Sequence, residues 1–253
     1  MPDTATLPTK RDEAWRYADI AALERLGADA LGAWQDISLA NGETRLHTMV
    51  VGRTEPELQR IRLILGAGAR AELFVTNVGT DYTRVEVEVQ MGRGAHFEFG
   101  GVTIGGGDAT REFVTQVVHA EPEATSNQTV RSVHWDTGTG NFLGEIKVAR
   151  HAQKTDAAQD FKGLLLEAGA SANAVPQLEI FADDVKCAHG ATVGEPDENA
   201  RFYMAARGIA PEQAQRLLVQ AFIGDAFVSL GDEAKREELL EAALGALEGR
   251  MGS

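Results

Sequence analysis

From about residue 47 to residue 194 the chain is cut into short apolar or alternating runs, each ended by glycine or by a small or acidic turn residue. HTMVV, RLILG, AELFVTNV, RVEVEVQM and AHFEFGGVTIGG come first; NFLGEIKVA, KGLLLEAGA, VPQLEIFADD and GATVG follow. Runs this short, without helical spacing, specify strands rather than helices. In residues 84–89, Val85, Val87 and Val89 share one face while Glu86 and Glu88 share the other, which is the period of a strand. Two segments also repeat. GAGARAELF begins at Gly66 and GRGAHFEFG at Gly92, so that Gly66, Gly68, Ala69 and Glu72 match Gly92, Gly94, Ala95 and Glu98 at an offset of 26 residues. Repeats of this size mark stacked coils. Two matched coils leave a β-solenoid and a β-sandwich both open.

The flanks read as helical. In residues 11–34, Trp15, Ala18, Ala22, Leu23, Leu26 and Ala30 recur near helical spacing. After Pro196, Gly208 marks a helix stop and Pro211 a new helix start. Ala214, Leu217, Leu218, Ala221 and Phe222 are read as the apolar stripe of that helix. Asp232 is placed to cap a last helix with the stripe Leu240, Ala243, Leu244 and Leu247. The expected organisation is an N-terminal helical segment over 1–45, a mainly β core over 46–196 and a C-terminal helical region over 197–253. Residues 210–253 are expected to be removable without unfolding the β body.

Composition excludes several functions. With 38 acidic and 24 basic side chains the formal charge is −14, a field that repels nucleic acid. No apolar run is long enough to span a bilayer, and the first residues are polar, unlike a signal peptide. One cysteine, Cys187, precludes an internal disulfide and suits a reducing compartment, so a cytoplasmic location is expected, without membrane partners. IRLILGAGARA looks like a dinucleotide loop, but the strand-like AELFVTNVG follows where a helix N-terminus is required. No phosphate-cradling GxxxxGK[ST] loop and no zinc-type histidine spacing occurs. No catalytic residue or resident cofactor is expected. The competing reading, a solenoid enzyme acting on carbohydrate or another small molecule, would want a groove of clustered carboxylates and aromatics. Aromatic content is only 6%.

Cys187 and His189 lie two apart, so an extended backbone aims both side chains to one face. There they are either a partial site for iron, zinc or an iron–sulfur species, or a packed thiol beside a structural histidine. Two ligands are too few for a complete site, so a partner chain would have to complete it.

PQLEIFADDVKCAHGATVGEPDENARFYMAARGI, residues 176–209, closely resembles the signature of the SufB/SufD family: a P-x-LEI strand, an acidic turn, C-x-HGATVG, a D-E step, an FY pair and RGI. NFLGEIKVARHAQKTDAAQDFKGLLLEAGASANAVP and the early EAWRY are similar to further family segments. Gly190, where SufB-type sequences carry glutamate, and the single cysteine point to the SufD type. The resemblance implies a right-handed parallel β-helix flanked by helices. It implies a non-catalytic scaffold in iron–sulfur cluster assembly, pairing with SufB and binding the ABC-type ATPase SufC on the C-terminal helices. Leu217, Leu218, Phe222, Leu240 and Leu244 are then the candidate docking residues. Cys187 and His189 become candidate ligands at the SufB interface, holding iron or a cluster in passing. The isolated chain is expected as a monomer or a homodimer.

Overall fold

The computed structural model describes residues 7–52 and 56–251; the polar residues 1–6 of the N-terminus lie outside them. Twelve strands are present among the described residues: β1 (Gln35–Leu39), β2 (Thr44–Val51), β3 (Glu57–Leu65), β4 (Arg70–Asn77), β5 (Tyr82–Met91), β6 (His96–Gly105), β7 (Thr110–His119), β8 (Thr125–His134), β9 (Thr139–Val148), β10 (Asp156–Leu165), β11 (Ser171–Ile180) and β12 (Lys186–Gly194). The odd strands form one parallel sheet in the order β1-β3-β5-β7-β9-β11, and the even strands form the other, β12-β10-β8-β6-β4-β2. Two parallel sheets taking alternate strands make a β-solenoid, and the sandwich left open by the sequence is ruled out.

The repeat is the coil itself. Arg70 pairs with His96 and Thr44 with Arg70, each 26 residues on, while the later coils lengthen, as in Ser171 opposite Thr139. The matched glycines have separate roles. A Cβ on Gly92 would stand 2.7 Å from the Leu65 carbonyl in the coil below, and Gly68 and Gly94 take positive φ of 64° and 62°. The first glycine lets stacked turns approach and the second makes the bend.

Within the first coils the inward rows are aliphatic and aromatic: Leu63, Leu73, Val85, Val87, Phe97, Phe99 and Phe113 form one buried cluster. On the outer face Glu86 and Glu88 pair with Arg60 and Arg62 of β3. Farther along, the interior turns polar. Ser126, Gln128, Ser132 and His134 of β8 are all buried, which hides that strand from any search for apolar alternation.

The N-terminal stretch is three short pieces, a 3-10 turn (Glu13–Trp15), α1 (Ile20–Leu26) and α2 (Ala28–Gly32), broken at Gly27 with φ 81°. Strands start at Gln35, ahead of the position 46 read from sequence. Trp15 lies over the guanidinium of Arg84 at 3.8 Å, and Arg84 donates to the Ala14 carbonyl at 2.8 Å. EAWRY thus pins this segment to the odd sheet.

The C-terminal region holds α3 (Glu198–Ala205), α4 (Pro211–Gly224), a 3-10 turn (Asp225–Phe227) and α5 (Glu233–Met251). Asp232 accepts from the Lys235 amide at the start of α5, Pro211 opens α4 and Gly208 has φ 77°. The buried residues of α4 are Ala214, Val219 and Ile223: Ala214 lies where the sequence placed it, Leu218 and Phe222 are half-buried beside Val219 and Ile223, and Leu217 and Ala221 face outward. Val219, Ile223, Phe227, Leu230, Leu239, Ala243, Leu244 and Leu247 pack on Phe74, Val102, Ile104, Val133 and Trp135 of the even sheet and its border. The expectation of a removable tail is therefore corrected: the helices cover an apolar sheet face and share a core with the solenoid.

Candidate site at the open end of the solenoid

β11 and β12 each have a strand neighbour on one side only. The Lys186 amide donates to the Thr155 carbonyl, so alternate residues from Lys186 face β10. The N–H and C=O groups of Cys187, His189, Ala191 and Val193 consequently face the free edge. On β11, Ser171 and Phe181 donate toward β9, so Pro176 falls on the free side, where its missing N–H breaks no ladder bond. The opposite end differs in chemistry. There β2 is bordered by the Glu43–Arg45 ion pair, with His47 further along it.

Cys187 and His189 occupy the inward row of β12, above Ala157 and Gln159 in the ladder. The common direction expected from their spacing is met. Because no further coil covers this row, His189 is exposed and Cys187 half-buried. Cys187 packs beside Ile146, Val148, Ala152, Ala157 and Ala182. Burial, and then the Asp156 carboxylate, push its thiol upward, against a modest opposing hydrogen bond at Ala157. Among the described residues no three of His, Cys, Asp and Glu are grouped to hold a metal. The two side chains thus stand together, one a soft and one a borderline donor by type, with no third such group beside them among the described residues.

Beneath it, Gln159 crosses the coil. Its amide donates to the Gln177 carbonyl at 3.1 Å, and its oxygen lies where a Cβ on Gly144 would stand, 2.1 Å away. Sequence reading missed this strut, because nothing local links Gln159 to Gly144.

Of the residues assigned to ATPase docking, Leu217 is 42% exposed, Leu218, Phe222 and Leu240 are half-buried, and Leu244 is only 4% exposed. Leu244 belongs to the core shared with the solenoid and offers no surface. Among the described residues of the helices, the largest apolar exposure instead comes from α3, where Phe202 is 78% and Tyr203 58% exposed. The signal was the FY pair itself. Among the described residues no helix is long and apolar enough to cross a membrane.

Residues 26–222 match the family model described as the SUF system FeS cluster assembly SufBD core domain. The chain is 40% identical over 126 residues to the iron-sulfur cluster assembly protein SufD of Escherichia coli, covering 50% of this chain and 30% of that protein. It is 31% identical over 149 residues to SufD of Bacillus subtilis, covering 59% and 34%. With a SufBD family protein of Synechocystis it shares 30% identity over 161 residues, 63% and 36% of the two chains. The matched stretches thus span about a third of these relatives' own lengths. A parallel solenoid with helical flanks, the open-ended C-x-H strand and a match over most of the sequence lead to one conclusion: the chain belongs to the SufB/SufD family of iron–sulfur cluster assembly proteins.

Proposed function

We propose that this chain is a scaffold subunit in iron–sulfur cluster assembly, of the SufD type. It pairs through the free edge of its last coil with a SufB-type solenoid and binds a SufC-type ABC ATPase on its C-terminal helices. The observation that carries the reading is the chemistry of β12. Its edge presents donors and acceptors without a strand partner, and after Lys186 it is lined by small uncharged residues and by Cys187 and His189. An edge strand left this way is a template for another strand. Charged side chains at the opposite end disfavour head-to-tail stacking, which favours a closed pair over a filament. Paired end to end, a second chain would supply the donors this half-site lacks. Iron or a nascent cluster would be cargo there, held by the His189 imidazole and, once a cation offsets the Asp156 carboxylate, by the Cys187 thiolate.

For the ATPase, the exposed Phe202 and Tyr203 of α3 and Leu217 of α4 are the apolar side chains on these helices that a partner would cover. Family membership favours this reading over that of a carbohydrate-acting solenoid enzyme.

Coexpression with the SufB-type and SufC-type chains of the same source, followed by affinity capture, tests the assembly. Both chains should be retained, the ATPase should be lost with Phe202→Ala and Tyr203→Ala together, and the purified chain alone should hydrolyse no ATP. Iron and sulfide per intact complex test the site: His189→Ala should lower both more than Cys187→Ser, with assembly intact. Retention of neither chain overturns the scaffold reading, and unchanged cluster content in both variants removes the pair from it.

A further inference from the structure

Arg131 of β8 is 1% exposed, on the face of the even sheet that the helices cover. Its Nε donates to Asp225, at the end of α4, at 3.0 Å, and Nη2 donates to the same carboxylate oxygen. Nη2 also donates to the carboxylate of Asp160 in β10 at 2.5 Å. Nη1 donates to the carbonyls of Val130 and Asp160 at 2.8 and 3.2 Å. A guanidinium has five donors, and all of them are engaged. Lys162 stands 3.6 Å from Asp160 and 3.9 Å from Asp225, so both carboxylates are shared between two cations.

A buried guanidinium that loses a carboxylate is left as an uncompensated charge, which is strongly destabilising. If Asp225 moved away, Nε and one Nη2 proton of the buried guanidinium would lose their acceptor and Asp160 would be the one carboxylate left on Arg131, so displacement of Asp225 bears on Asp160 through the shared guanidinium. Asp160 is the ladder partner of Gly190 in β12, and its Oδ1 is the heavy atom nearest to where a Cβ at Gly190 would stand, 3.5 Å away. Gly190 lies directly between His189 and Ala191. Two further polar ties between the C-terminal region and the even sheet land on strands farther from this end. Ser229 donates to Glu98 of β6 at 2.8 Å, and Thr76 of β4 donates to the Leu239 carbonyl at 3.1 Å.

We propose that Arg131 is a latch that carries displacement of the C-terminal helices into β10 and from there into β12, the strand bearing Cys187 and His189. Its use in cluster assembly rests on the reading of these helices as the ATPase platform; the coupling within the chain does not.

Amide hydrogen exchange on the full chain, free of partners, tests the latch. Asp225→Asn keeps the shape and removes the charge. The amides of Ala188, Gly190 and Thr192, which face β10, should then exchange roughly threefold faster or more, while those of β4 and β6 stay as they were. Ser229→Ala cuts the tie to β6 and should leave β12 exchange unchanged. No change at β12 in Asp225→Asn, a uniform rise in every strand, or an equal effect of Ser229→Ala overturns the proposal. The measurement needs no partner chain, so its failure and the failure of the affinity capture are separate results.

Discussion

His119 and His134 are sealed in the solenoid interior, and burial lowers their imidazoles to about 4 and about 3, with Arg111 adding to the effect at His134. His119 makes a 2.9 Å hydrogen bond with Ser126, and His134 one of the same length with the Gly105 carbonyl. Both are neutral in the folded protein near pH 7. Their folded values lie below the unfolded one, so the unfolded chain binds the extra protons. Stability is then full above about pH 6.5 and is lost as pH falls from there toward 4 and 3, by ~1.4 kcal/mol per pH unit for each histidine within that window. Urea midpoints at pH 7.5, 6 and 5 should fall in that order, and His119→Gln should flatten the slope. At Gly144 the expected outcome is steric. An alanine Cβ would meet the Gln159 oxygen at 2.1 Å and the Phe142 ring at 2.5 Å, so Gly144→Ala should cost about 1–3 kcal/mol in urea unfolding.

At the scale of elements, two contacts decide how the molecule is put together. One is the seat of the C-terminal helices. Gly100 of β6 faces the Ala226 carbonyl so closely that a Cβ there would stand 2.1 Å from it. Gly100→Val should push the turn at Asp225–Phe227 off the sheet, lower thermal stability and raise exchange along α4, since a backbone carbonyl cannot step aside as a side chain can. The other is the edge of β12. Ala191→Pro places a ring where an N–H now faces the free edge, and it breaks no bond to β10. Loss of the SufB-type partner with retention of the ATPase is the outcome expected from affinity capture of this variant; retention of both would show that pairing does not use this edge.

For the whole molecule, solenoid and helices behave as one unit. Removal of residues 210–253 would bare Phe74, Val102, Ile104, Val133 and Trp135. Exposing a large apolar side chain costs roughly 1.5–3 kcal/mol, against a typical domain stability of about 5–15 kcal/mol. The truncated chain should therefore aggregate or lose its cooperative transition in calorimetry, rather than persist as a folded β body.

Local chemistry wrote the coil into the sequence. The Gly-x-Gly turns at 66–68 and 92–94 and the valines at 85, 87 and 89 need only their neighbours to set a bend and a strand face. The C-x-H pair was legible because strand alternation alone aims Cys187 and His189 together. Strands β7 and β8 were not legible, because Arg111, Thr115, Ser126 and Gln128 are buried polar residues, and Thr115 finds Gln128, and Ser126 finds His119, only across the folded interior of the coil. Beyond Ala214 the α4 stripe was misplaced, Val219 and Ile223 taking the buried places beside Leu218 and Phe222, because the apolar residues of α4 outnumber the places on the sheet that receive them. Whether a leucine on α4 or α5 docks a partner or fills the core depends on which face the even sheet presents. That choice, like the union of Asp225, Arg131 and Asp160 across 94 and 29 residues of chain, was made only when the helices closed over the solenoid.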